Sequence, residues 1–318
     1  SSACAVVRDS SVSTPAPASV GRCSFAGELR YIKEVPPPNR LVFCIYWGGL
    51  GMSVARKNQI EVQAVTTDDL LEVLGLGIRD FKAAPVYGLA FGAIYAVGGW
   101  VLILMLVEFD LPFLVYPLAA GFALIAPFIA SGFYVVSSQL EKSEPLSWGI
   151  VFRTVKSMFG RDLGWMALVT GFSLFIWMDI AALLSFGFME FQFFSFSTLL
   201  DTILTTPAGW AFLVTGHAVG ALIAFGVFSY SVISIPMLFD RDIDFVTAMI
   251  TSVRFVKRNP RVMAIWCFTI AALTAISLLS GFVGLLVTLP VLGHATWHLY
   301  RRAVPSSMTT SPSGPEAA

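Results

Sequence analysis

Two pairs of side chains in this sequence have the chemistry to hold a proton or a cation in an apolar setting. Asp179 and His217 stand alone in separate apolar runs. Measured from Leu163 and Ile235, they lie about 24 and 27 Å along their helices at 1.5 Å per residue. That is one depth in the outer third of a bilayer, where a carboxylate and an imidazole together would relay a proton or bind a cation. The plainer reading puts Asp179 at the outer interface and bonds His217 to a neighbouring helix. His294 and His298 are spaced i, i+4 and share a helix face. Two such imidazoles suit a metal, but no carboxylate or cysteine near them in sequence completes a ligand set. Neither a metal nor a cofactor is expected, and an interfacial role beside Trp297 and Tyr300 fits the pair better.

The elements that carry these residues follow from hydropathy and charge. Hydrophobic residues make up 56% of the 318-residue chain, charged ones 13%, and mean hydropathy is +0.77. A soluble domain carries about 25% charged residues, so this chain is expected to be an all-α membrane protein. Lys and Arg are absent from Ala83 to Glu141, from Asp162 to Asp240 and from Val262 to Tyr300. A crossing needs about 20 residues, so each window has room for two. Six spans are expected, at about 85–107, 111–136, 163–189, 208–235, 262–279 and 281–299. As one helix the third window would be about 58 Å long, nearly twice the hydrocarbon core, so a break near Ser280-Gly281 is expected. The segment with Glu190, Gln192 and Asp201 reads as an outer loop. Every Lys and Arg lies at a hairpin base or in the N-terminal region, which by the positive-inside rule makes the bases and both termini cytoplasmic.

A short unit recurs before each window: Ile78-Arg79-Asp80-Phe81-Lys82, Val155-Lys156-Ser157-Met158-Phe159 and Val253-Arg254-Phe255-Val256-Lys257. Apolar residues at spacings of three and four precede it. They are Leu70, Leu74, Ile78 and Phe81; Trp148, Phe152, Val155 and Phe159; and Phe245, Met249, Val253 and Val256. The periodicity predicts three amphipathic helices on the cytoplasmic leaflet, capped at Asp68, Ser147 and Asp244, each feeding a hairpin. Their basic residues Arg79, Lys82, Arg153, Lys156, Arg161, Arg254, Lys257 and Arg258 are the expected contacts for lipid headgroups. Gly216-x-x-x-Gly220 reads as a small-residue packing motif. Residues 1–51 read as a disordered or non-native extension with translation starting at Met52, residues 52–304 as the membrane domain, and 305–318 as a disordered tail.

No P-loop, Rossmann fingerprint, H-E-x-x-H or nucleophile elbow is present, and no C-x-x-C joins Cys4, Cys23, Cys44 or Cys267. Net charge is zero and no basic run suggests nucleic acid as a partner. Three roles fit. The first is a non-enzymatic scaffold or accessory subunit of a membrane complex. The second is a small-solute or ion permease using Asp179 and His217. The third is a lipid handler. Membrane lipids and other membrane subunits are the expected partners.

Four segments carry a resemblance. They are Gly77-Ile78-Arg79-Asp80-Phe81-Lys82-Ala83-Ala84-Pro85-Val86-Tyr87-Gly88, Tyr116-Pro117-Leu118-Ala119-Ala120-Gly121-Phe122, Glu144-Pro145-Leu146-Ser147-Trp148, and Leu289-Pro290-Val291-Leu292-Gly293-His294-Ala295-Thr296-Trp297-His298. From about Asp68 to Ala303 the chain resembles a bacterial family of predicted integral membrane proteins, domain of unknown function 2189. The resemblance implies a multi-span protein of the bacterial inner membrane and supplies no activity or catalytic residue.

Overall fold

The computed structural model describes residues 60–108, 112–158, 162–189 and 196–305, with the backbone alone at 112–124, 189 and 196–200, and the pairs Cys4–Ala5 and Phe43–Cys44. Those two pairs run antiparallel to each other. The remainder of the expected N-terminal extension and residues 306–318 lie outside the described residues.

From residue 60 on, every described regular element is a helix. In chain order they are α1 (Thr67–Ala83), α2 (Pro85–Val107), α3 (Pro112–Glu141), α4 (Trp148–Met158), α5 (Asp162–Met189), α6 (Phe196–Thr205), α7 (Pro207–Ser231), α8 (Ser234–Asp240), α9 (Phe245–Arg258), α10 (Pro260–Leu279) and α11 (Leu285–Ala303). Among the described residues, four stretches are long and apolar enough to cross a membrane: Pro85–Val107, Asp162–Phe188, Pro207–Asp240 and Pro260–Leu279. Part of the expected outer loop is the helix α6, which packs on α7. Gly209 permits this contact, since a Cβ there would collide with the Thr202 carbonyl.

The joints between elements have local causes. Thr66 caps α1 in a reciprocal box with Asp69, two residues before the expected cap. Ser147 and Asp244 cap α4 and α9 as expected, each accepting the backbone N–H three residues on. Ala84 (φ −138°, ψ 55°) and Asn259 (φ −126°, ψ 51°) join α1 to α2 and α9 to α10 in one backbone conformation, each followed by proline at the first helical position. Asn259 also accepts the Val65 N–H at 2.9 Å and donates to the Gln63 carbonyl at 3.2 Å, tying down the strap before α1. The turn between α10 and α11 falls at Ser280–Gly284, with Gly281 at φ 68° and Phe282 at φ 66°.

Proline 236 breaks the helix between α7 and α8. It lacks an N–H and its ring crowds the carbonyl four residues back. The hydroxyl of buried Ser252, on α9, enters the gap: it accepts the Ile233 N–H at 3.3 Å and donates to the Ser229 carbonyl at 2.9 Å. Ser252→Ala strands both groups in a dry interior. It is expected to lower stability by about 1–3 kcal/mol, read as a fall in the thermal midpoint of the detergent-solubilised protein.

The residues of α1, α4 and α9 that bury inside the protein coincide only in part with the apolar stripes read from the sequence. In α1 the buried residues are Leu70, Val73, Gly77 and Asp80, while Ile78 is exposed. In α4 they are Val151 and Met158, while Phe152 is exposed; Phe159 and Arg161 lie outside the described residues. In α9 they are Ala248, Thr251, Ser252, Phe255 and Val256. Small and polar side chains share these buried faces with Leu70, Val73 and Phe255, and allow close packing against other helices.

Helix α11 is the centre of the bundle. It packs on α1, α2, α3, α8 and α10. Trp297, Leu299, Tyr300 and His294 are among the largest fully buried side chains. By contrast α5 and α7 display Phe172, Leu183, Val214 and Leu222, each more than 60% exposed.

Candidate functional site

The C-terminal half of α11 carries His294, Trp297, His298, Tyr300, Arg301 and Arg302, and a polar partner from another helix meets each of them. His298 Nε2 lies 2.7 Å from Oδ2 of Asp80 on α1. Ser137 Oγ on α3 lies 2.8 Å from His294 Nδ1 and also bonds Asp80. Trp297 Nε1 donates to Glu141 at 3.1 Å, and Arg301 pairs with the same carboxylate at 2.9 Å. The Tyr300 hydroxyl donates to Asp240 at 2.6 Å and accepts from Arg241 at 3.0 Å. Arg302 pairs with Asp69 and Glu72.

The inner part of this network is closed. Asp80 is 2% exposed, Ser137 and His294 0%, and His298 8%. With the Ser137 hydroxyl donating to Asp80, His294 carries its proton on Nδ1. Its Nε2 is buried and has no hydrogen-bond partner among the described residues. Three helices thus bring together Asp80, Ser137, His294 and His298 across up to 218 residues of chain. The histidines are buried inside the protein, and Asp80 is the carboxylate that local sequence around them lacks. Among the described residues no group of three His, Cys, Asp or Glu is placed to hold a metal. The visible signal was Asp80 itself, an acid on the stripe Leu70-Val73-Gly77-Asp80 of an amphipathic helix.

Burial works against the Asp80 charge, but the hydrogen bond and charge of His298, with Ser137 and Arg79, outweigh it and hold the carboxyl below its ordinary 3.8. The Thr66 backbone N–H, then its hydroxyl, does the same for Asp69. A depressed acid stabilises the fold above its unfolded-state pKa and stops doing so as pH falls through its folded value. Stability is therefore expected to hold from neutrality to about pH 4 and to fall below it; the thermal midpoint as a function of pH, with and without Asp80→Asn, checks this.

Asp179 and His217 are not brought together. Both are exposed, and among the described residues no hydrogen bond or ion pair joins them. His217 Nδ1 bonds the Leu213 carbonyl of its own helix at 2.7 Å. On α5 the residues that face α7 across a groove are Trp177, Ala181 and Leu184; Asp179, two positions from Trp177, points about 200° round the helix.

Two hollows lie beside α7. The inner one, of about 530 Å³, is lined by Tyr134 of α3, Thr170, Ser173 and Trp177 of α5, the Gly220–Ile235 stretch, Ile270 of α10 and Thr296 of α11. The outer one, of about 430 Å³, is lined by Trp177, Leu184, Phe212, Gly216, His217 and their neighbours. Both are apolar. The serine and threonine hydroxyls in the inner hollow bond carbonyls of their own helices, as Thr170 does to Met166 at 2.9 Å. Ser173 also bonds the Tyr230 hydroxyl at 3.0 Å.

A chain with long apolar helices around a closed polar centre has the build of a membrane protein, and the sequence comparison agrees. Residues 115–240 match a family described as predicted integral membrane protein (DUF2189). The DUF2189 match runs from α3 to the end of α8, so it includes Ser137 and the α5 and α7 walls of both hollows. Asp80, His294 and His298 lie beyond it. No curated protein and no solved structure matches the chain. The protein is an integral membrane protein with several apolar helices.

Proposed function

We propose that this is a non-enzymatic, lipid-handling protein of the bacterial inner membrane, built from three transmembrane hairpins. The hairpins are α2–α3, α5–α7 and α10–α11. The amphipathic helices α1, α4 and α9 lie at their cytoplasmic bases, and both termini are cytoplasmic. The observation that carries the lipid reading is the inner hollow. It opens where elements of all three hairpins meet, at the depth of the hydrocarbon core, and offers an apolar wall with few polar groups. Exposed Lys82, Arg153, Lys156, Lys257 and Arg258 ring the bases and suit anionic headgroups, each contributing about 1 kcal/mol near a charged surface. Arg79 and Arg254 are partly engaged, with Asp80 and the Ile60 carbonyl.

The permease reading gains no support from Asp179 and His217, which stand apart. The accessory-subunit reading draws on the outward apolar faces of α5 and α7, where only 11% and 17% of the most apolar windows are buried in the protein. Native purification followed by mass spectrometry of bound lipid and protein tests the proposal. The expected result is a lipid held through repeated detergent washing and enriched over bulk membrane composition. A stoichiometric protein partner with no retained lipid overturns it in favour of the subunit reading.

A further inference from the structure

The two hollows meet end to end, sharing Trp177, Gly220 and Ala224. At the waist a Cβ on Gly220 would stand 3.0 Å from the Trp177 ring, so glycine is what lets the indole cross α7 there. At Gly216 a Cβ would meet nothing within 4 Å. The Gly216-x-x-x-Gly220 motif therefore does not seat a neighbouring helix along its length; one glycine shapes the waist and the other leaves the outer hollow open. On α7 the combined lining of the two runs from Phe212 to Ser231, about 28 Å at 1.5 Å per residue, close to the full thickness of the hydrocarbon core and nearly twice the depth of one leaflet.

We infer that the two hollows form one groove for a single lipid tail that enters from the cytoplasmic leaflet and passes Trp177 across the midplane. This rests on the lipid reading above and adds the ligand class: a lipid with a tail longer than one leaflet is deep. The groove lies within apolar spans, where acyl chains are the surrounding medium, and its continuity selects for chain length rather than for a headgroup. The inner hollow houses the first part of the tail, and the outer hollow discriminates long tails from short.

Gly216→Phe is the direct test, because the new ring enters open space in the outer hollow and glycine is the poorer helix former there. Gly187→Phe is the control; it too meets nothing within 4 Å, and Gly187 lines neither hollow. Phosphatidylglycerols with saturated tails of graded length, from about half to the full height of the core, are titrated onto delipidated protein and retention is read by native mass spectrometry. The wild type and Gly187→Phe are expected to retain the longest tails at least tenfold better than the shortest. Gly216→Phe is expected to bind the shortest tails as the wild type does and to lose the tenfold preference, with an unchanged thermal midpoint. Length preference intact in Gly216→Phe overturns the continuous groove and leaves the lipid reading standing. Retention of no lipid by the wild type overturns both.

Discussion

Asp80→Ala is expected to cost about 3–5 kcal/mol, because it leaves His298 buried in a site built around a carboxylate. Both groups of this pair are under 10% exposed and 2.7 Å apart. The partner Ser137 loses a hydrogen bond at the same time, so the damage spreads to His294. His298→Leu is expected to cost nearly as much, since it strands the Asp80 carboxylate. The double change Asp80→Ala with His298→Leu removes both polar groups and is expected to recover a large part of the loss. Equilibrium unfolding of the four proteins in one detergent closes the cycle. A double variant as unstable as the sum of the singles would show that the two residues act independently and that the clasp between α1 and α11 is not a unit.

The second large effect separates two glycines on one helix. A Cβ on Gly77 would lie 2.5 Å from the Val291 carbonyl and 2.9 Å from the Ala295 nitrogen. Both are backbone atoms of α11 and cannot rotate aside. Gly77→Ala must push α1 off the central helix, and an expected loss of about 3 kcal/mol sits at the upper end for overpacking. Gly75, half a turn away, meets nothing within 4 Å. Gly75→Ala keeps the packing and improves helix propensity, so a gain of about 0.5–1 kcal/mol is expected. Thermal midpoints measured side by side check the sign of each. A destabilised Gly75→Ala, or a neutral Gly77→Ala, would mean that α1 does not dock on α11 through this face.

Charge was the most legible layer of the sequence. Each interval without Lys or Arg contains two long helices, of which four in all are long and apolar enough to cross a membrane among the described residues, and the break within the last interval falls at Ser280–Gly284, close to the dipeptide that marked it. Positive side chains carry this information because crossing lipid costs each of them several kcal/mol, an estimate that spans about 2.5 to more than 10. The faces of α1, α4 and α9 were less legible. Periodicity marks an apolar stripe and does not say which residues another helix will cover: Ile78 and Phe152 are exposed, while Gly77, Ala248 and Ser252 are buried beside Leu70, Val73, Val151 and Phe255. Gly77 and Asp80 fall on the docking stripe of α1.

The polar centre was half legible. His294 and His298 stood out by their spacing, but their partners Ser137 and Asp80 lie 157 and 218 residues away, and only the docking of α1 and α3 on α11 assembles them. Asp179 and His217 matched in depth, which fixes height along two helices and says nothing about rotation. Rotation turned Trp177, not Asp179, toward α7. Of the Gly216-x-x-x-Gly220 pair, Gly220 receives Trp177 of α5 and Gly216 meets nothing within 4 Å, because spacing alone does not name the opposing side chain.

The proposed arrangement of three hairpins, with α11 returning to the cytoplasmic side, underlies the polar clasp, the basic rim and the direction of the lipid groove. Cysteine labelling tests it most directly. In a background with the four natural cysteines changed to serine, single cysteines replace Glu108, Lys142 and Pro305, and sealed right-side-out vesicles are treated with a membrane-impermeant maleimide. Glu108→Cys is expected to label at once, and Lys142→Cys and Pro305→Cys only after the vesicles are opened. Labelling of Pro305→Cys in sealed vesicles would put the end of α11 outside and contradict the arrangement.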